Sequence, residues 1–144
     1  MKHFRFVVAL ACAVSMAGAA DTPKKDPNYS GKYPELREWM RDMLKAEKVF
    51  EGTEKTGEKA VESGEDLEVA FEEMTGFWRQ FSASDAVKIS VEGKAASAQL
   101  VAAAHAGDAE KAAAAWQAVS ATCHACHEKR REKLEDGSFR PKLN

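Results

Sequence analysis

The run Cys123-His124-Ala125-Cys126-His127 sets two thiols and an imidazole close together, side chains that can bond to carbon or ligate a metal. On a helix, residues at i, i+3 and i+4 share one face. Cys123, Cys126 and His127 therefore project together, while His124 and Ala125 turn elsewhere. This is the C-x-x-C-H spacing of haem attachment. The thiols add to two vinyl groups on one haem edge as thioethers, and the neutral imidazole of His127 ligates the iron. A zinc site would want further ligands, and beyond residue 20 the only other histidines are His105 and His124. A thioredoxin-like pair would follow a strand in an α/β unit. A disulfide across two intervening helical residues would be strained. The pattern predicts one covalently bound haem c per chain.

The chain must reach a compartment where such attachment is completed, and its first residues read as an export signal. Lys2 and Arg5 give a positive start, Phe6 to Ala17 an apolar run, and Ala17-Gly18-Ala19-Ala20 a small-residue cleavage site. Residues 1–20 are thus expected to be a cleaved signal peptide, with the mature protein in the periplasm. The apolar run is too short for a span of about 20 residues, so no membrane span is expected. Cys12 leaves with the signal. The formal net charge of −2 becomes more negative once Lys2 and Arg5 are lost, which argues against nucleic-acid binding.

The elements that must position the motif are helical. Residues 21–32, with two prolines and a glycine, suit a flexible lead-in. Leu36, Met40, Met43, Leu44, Glu47 and Phe50 recur at helical steps, predicting an amphipathic helix from Pro34 to Phe50. Gly52, Gly57 and Gly64 then interrupt the pattern, as a long connection or a frayed start to the next helix. Leu67, Ala70, Phe71, Met74, Phe77, Trp78 and Phe81 form the stripe of a second helix, and Ser82 to Asp85 supply a break and a new N-cap. The apolar side of the third is read as Val87, Val91, Ala95, Ala98, Val101 and Ala102. Gly107 ends it, and Asp108 caps an alanine-rich fourth helix. The inward stripe of that helix is read as Ala112, Trp116, Val119, Cys123, Cys126, His127, Arg130 and Leu134, with Gly137 as its stop. No two-residue alternation is seen, so the expected fold is all-α: an antiparallel four-helix bundle over residues 33–144.

Seventeen residues follow His127, and none is a methionine or histidine. A sixth iron ligand must come from upstream, from Met40, Met43, Met74, His105 or His124. The last of these is tied to the motif with its ring turned away. A methionine on an apolar stripe also serves as ordinary core filling.

A C-x-x-C-H motif on the last helix of an exported helical chain of this size resembles the class II cytochromes c, the family of cytochrome c prime and its low-spin relatives. The resemblance runs from about Tyr33 to Leu134. In that family the first helix sets one residue over the open haem face, methionine in low-spin members and usually leucine or another non-ligand in high-spin ones. Matching Arg37-Glu38-Trp39-Met40-Arg41-Asp42-Met43 to that helix implies Met40 as the sixth ligand. Arg131, four residues after His127, matches a family arginine of the proximal haem environment; a favourable charge near a helix C-terminus is the other reading. The aromatic residue often found just before that arginine is Arg130 here, and residues 51–64 match poorly. Relatives often pair as homodimers through their first two helices.

The resemblance implies an electron carrier rather than an enzyme, exchanging single electrons with redox partner proteins. With nitrogen and thioether sulfur on the two sides, iron stays six-coordinate and low-spin through oxidation and reduction. The alternative is a five-coordinate protein of the cytochrome c prime type that binds nitric oxide or carbon monoxide. A peroxidase would want a distal acid–base pair, which the sequence does not display.

Overall fold

The computed structural model describes residues 32–52 and 55–143. The expected signal peptide and all but Lys32 of the lead-in lie outside the described residues. Four helices follow one another: α1 (Pro34–Glu51), α2 (Glu58–Gln80), α3 (Ser84–His105) and α4 (Ala109–Arg130). Pro34 opens α1 at a position that needs no backbone N–H. Gly107, at φ 68°, makes the left-handed turn after α3. Asp108 then caps α4, its side chain accepting from the Lys111 N–H at 3.0 Å.

The first two stripes pack much as their periodicity implies. Met43, Ala46 and Phe50 of α1 are buried, as are Leu67, Ala70, Phe71, Met74, Phe77 and Trp78 of α2, although Leu44 faces outward at 56% exposure. The helix α2 begins nine residues before Leu67, because Gly64 is not a break. It is a point of close approach, where an added Cβ would stand 2.7 Å from Val101 Cγ2 of α3.

The expected inner side of α3 is corrected by the structure. Val91 is half exposed, and Ala95, Ala98 and Ala102 are exposed. The buried face instead runs through Ala86, Ser90, Gly93, Ser97, Leu100 and Ala104. Two serines can lie in it because each hydroxyl is satisfied locally: Ser90 Oγ donates to the Ala86 carbonyl and Ser97 Oγ to the Gly93 carbonyl, both at 2.9 Å. Small side chains there let the Phe71 ring lie directly over Gly93. An added Cβ at Gly93 would be 2.3 Å from that ring. Gly93→Ala is therefore expected to lower unfolding stability by about 1–3 kcal/mol through overpacking, whereas Gly76→Ala, which meets nothing, should not. Urea denaturation of the two variants checks this.

The close pairs Gly64 with Val101 and Phe71 with Gly93 run in opposite directions along the chain, so α2 and α3 are antiparallel. Neighbours in sequence pack as neighbours in space, α1 on α2, α2 on α3 and α3 on α4, while the α1 and α4 backbones scarcely approach each other. Side chains close one end of this open seam, where Phe50 stacks on Trp116 with ring centroids 5.1 Å apart. At the other end an aromatic cluster gathers Tyr33, Trp39, Phe77, Trp78 and Phe81.

The last helix is shorter than its expected stripe. It ends at Arg130, and Leu134 belongs to a small antiparallel hairpin of β1 (Arg131–Lys133) and β2 (Phe139–Pro141), in which Glu132 pairs with Arg140. The Asp136-Gly137 step explains it. Gly137 takes φ 80°, and Asp136 accepts from the Ser138 N–H at 2.9 Å. Gly137 thus turns a hairpin instead of stopping a helix, and two strands appear where none was expected.

Candidate haem-binding site

The three motif residues occupy the last two turns of α4. Cys126 is buried at 7% exposure, Cys123 and His127 are half-buried, and His124 is exposed. Both thiols are free. Burial pushes the Cys123 thiol up to about 11, with the Glu47 carboxylate of α1 adding to the effect. Burial also pushes the Cys126 thiol up to about 11, with Cys123 contributing next. At neutral pH both are thiols, not thiolates, so neither is poised as a nucleophile for disulfide exchange. Burial, then the Arg131 and His124 charges, hold His127 below the usual histidine range. Its imidazole is neutral at pH 7, the form that offers a lone pair to a metal.

What faces this turn follows from the register of α1 against α4. Phe50 stacks on Trp116, and eleven residues along α4 from Trp116 lies His127. The same step back along antiparallel α1 reaches Trp39, about 16 Å from Phe50. The Glu47 carboxylate of α1 also acts on Cys123, so this stretch of α1 runs alongside the motif helix. Met40 and Met43 lie between Trp39 and Glu47. Met43 is 8% exposed and Met40 is half-buried against the core. Met74 is 2% exposed in the core face of α2. His105 is the exposed last residue of α3. It stands beside the start of α4, about 27 Å along that helix from His127, and the structure does not bring it to the motif.

Arg130 organises the surroundings. Its guanidinium pairs with the Asp85 carboxylate and donates to the Lys142 carbonyl at 3.2 Å, and it lies 5.7 Å from the Trp78 ring centroid. Its own carbonyl accepts from the Lys142 N–H at 2.8 Å. This joins the end of α4 to the start of α3 and to the hairpin. Asp85 is therefore a cross-helix partner, and Ala83, the residue at the α3 N-cap, makes no side-chain cap bond. Arg131 begins β1, exposed, with its guanidinium carbon 3.4 Å from the Phe139 ring centroid.

The Arg130 hydrogen bond holds the Asp85 carboxyl below its usual range. A carboxylate lowered on folding stabilises the fold at neutral pH, and that contribution is lost as pH falls below the unfolded value near 3.8 and through the folded one. Asp85→Asn is expected to be less stable at pH 7 and to lose less stability than the parent between about pH 4 and 2. Urea midpoints measured across that range check it.

The two thiols and the imidazole on one face of α4 are the donor set that covalent haem attachment needs. Among the described residues no three His, Cys, Asp or Glu side chains gather to hold a metal ion by themselves. Around Arg130, Trp78 Nε1 and Arg130 Nε are buried donors without an acceptor. Such donors cost about 1–3 kcal/mol each when left unpaired, so this region has capacity for a polar group that the polypeptide does not supply.

No protein-family model matches the chain, and neither does a curated protein or a solved structure. The site thus stands on its own residues. Reading the sequence missed the Arg130–Asp85–Trp78 cluster. Its only linear signal was the spacing of Arg130, four residues after Cys126 on the same face.

Proposed function

We propose that the mature chain is a periplasmic monohaem c-type cytochrome of class II character that passes single electrons between redox partner proteins. The observation that carries this reading is the shared face of Cys123, Cys126 and His127 on α4, with Cys126 buried and Cys123 and His127 half-buried. In this reading Cys123 and Cys126 hold the haem as thioethers and His127 ligates the iron through a neutral nitrogen. Met40 would supply the iron's other protein ligand, and the aromatic cluster of Tyr33, Trp39, Phe77, Trp78 and Phe81 would give an apolar surround. A haem bound there supplies a one-electron iron couple. Arg131 lies outside the seam on Phe139, so its part in the proximal environment is a charge acting near His127. Exposed Leu44 and Val69, on α1 and α2, offer the apolar surface that a homodimer would bury. Among the described residues no helix is long and apolar enough to cross a membrane.

The test is intact-mass and absorption spectroscopy of protein exported to the periplasm. One covalently attached haem and sharp reduced-state bands are expected. Broad high-spin bands that shift at once with carbon monoxide would favour a five-coordinate gas-binding protein. Bare polypeptide with free thiols would end the proposal.

A further inference from the structure

The C-terminal hairpin has a face that its own fold does not use. Strand alternation sends Glu132 and Arg140, which pair with each other, to one side. Arg131, Lys133 and Phe139 go to the other, all three exposed, with Arg131 lying over the Phe139 ring. Phe139 is 47% exposed, one of few large apolar side chains left in water. Lys129 and Lys142, both exposed, adjoin this face in the chain. Residues 129–142 carry six basic and three acidic side chains in a chain of net negative charge, whereas residues 58–73 of α2 carry seven acidic and one basic. The molecule is therefore electrically polarised, with its positive end beside His127. An arginine stacked on an exposed aromatic ring is a composition that protein interfaces favour, and the nearby lysines add the positive charge that steers an acidic partner.

We propose that the Arg131–Lys133–Phe139 face of the hairpin is the docking surface for an acidic redox partner protein, an inference that rests on the electron-transfer reading. A carboxylate patch on the partner would meet the cations and an apolar spot would cover Phe139, leaving the partner within a few residues of the iron ligand. An anionic membrane suits the face less well. One half-exposed phenylalanine gives little area to insert.

The mature protein as purified, isotope-labelled and reduced, is titrated with poly-L-glutamate at low salt and followed by NMR. Shift changes confined to residues 129–142 are expected, lost in the Arg131→Glu/Lys133→Glu variant and at about 0.5 M salt. In stopped flow, oxidation by ferricyanide should slow as ionic strength rises, despite the negative net charge, and the double variant should be about tenfold slower at low salt. Shifts elsewhere, no binding, or a ferricyanide rate that rises with ionic strength would overturn the inference. Binding to phosphatidylglycerol vesicles in place of poly-L-glutamate would overturn it too. Poly-L-glutamate binding is read whether or not haem is attached, so failure of this surface is distinct from failure of the cytochrome reading, which intact mass reports.

Discussion

A Cys123→Ser/Cys126→Ser variant exported to the periplasm is expected to carry no covalent haem, so that its denatured polypeptide has the bare-chain mass and shows no haem absorbance. Thioether bonds are the only linkage in this reading that survives denaturation, and serine hydroxyls do not add to vinyl groups. Each single variant should keep one thioether. Circular dichroism at 222 nm serves as the control, because α2 and α3 pack extensively without the motif and should remain helical. If the double variant still carries a tetrapyrrole after denaturation, the assignment of both cysteines is wrong. If the parent and the variant have the same bare-chain mass, the chain is not a c-type cytochrome.

Met40→Ala is expected to convert a low-spin spectrum into a high-spin one that binds carbon monoxide at once, while Met43→Ala leaves the spectrum low-spin. Both methionines lie near the level of His127, and their burial separates them. Met43 is 8% exposed, within the core with Ala46 and Phe50. Met40 is half-buried and has less packing to lose, and in the proposed reading it is the second iron ligand. Met43→Ala should therefore show its effect in stability, a loss of about 2–5 kcal/mol for a buried methionine. Met40→Ala should show it in the iron. Met40→His should restore the low-spin state with a lower reduction potential, because a second nitrogen replaces thioether sulfur. The reverse pattern, with Met43→Ala alone turning high-spin, would move the ligand one turn along α1. A parent spectrum that is already high-spin would instead support the gas-binding reading.

Much of this protein was legible in its sequence, and the residues show where legibility stopped. The all-α class, the first helix from Pro34, the buried stripe of α2 and the Asp108 cap all follow from local rules of spacing and hydrogen bonding. The same holds for the shared face of Cys123, Cys126 and His127, since i, i+3, i+4 geometry belongs to any helix. Three things did not follow. The inner face of α3 is lined by Ser90, Gly93 and Ser97. A hydrophobicity pattern marks these as outward, but the packing of Phe71 on Gly93 requires them inside. Gly64 and Gly137 read as interruptions, yet one permits close helix contact and the other turns a hairpin.

The third is the level of α1 against α4. The sequence alone nominated five upstream side chains as a second iron ligand. Only the stacking of Phe50 on Trp116 and the effect of Glu47 on Cys123 bring the stretch of α1 that holds Met40 and Met43 alongside α4 and leave His105 at the far end. Spacing within one helix is set by backbone geometry and can be read from the chain. The alignment of two helices separated in the chain by two others is set by which side chains interlock, and that is decided in the folded core.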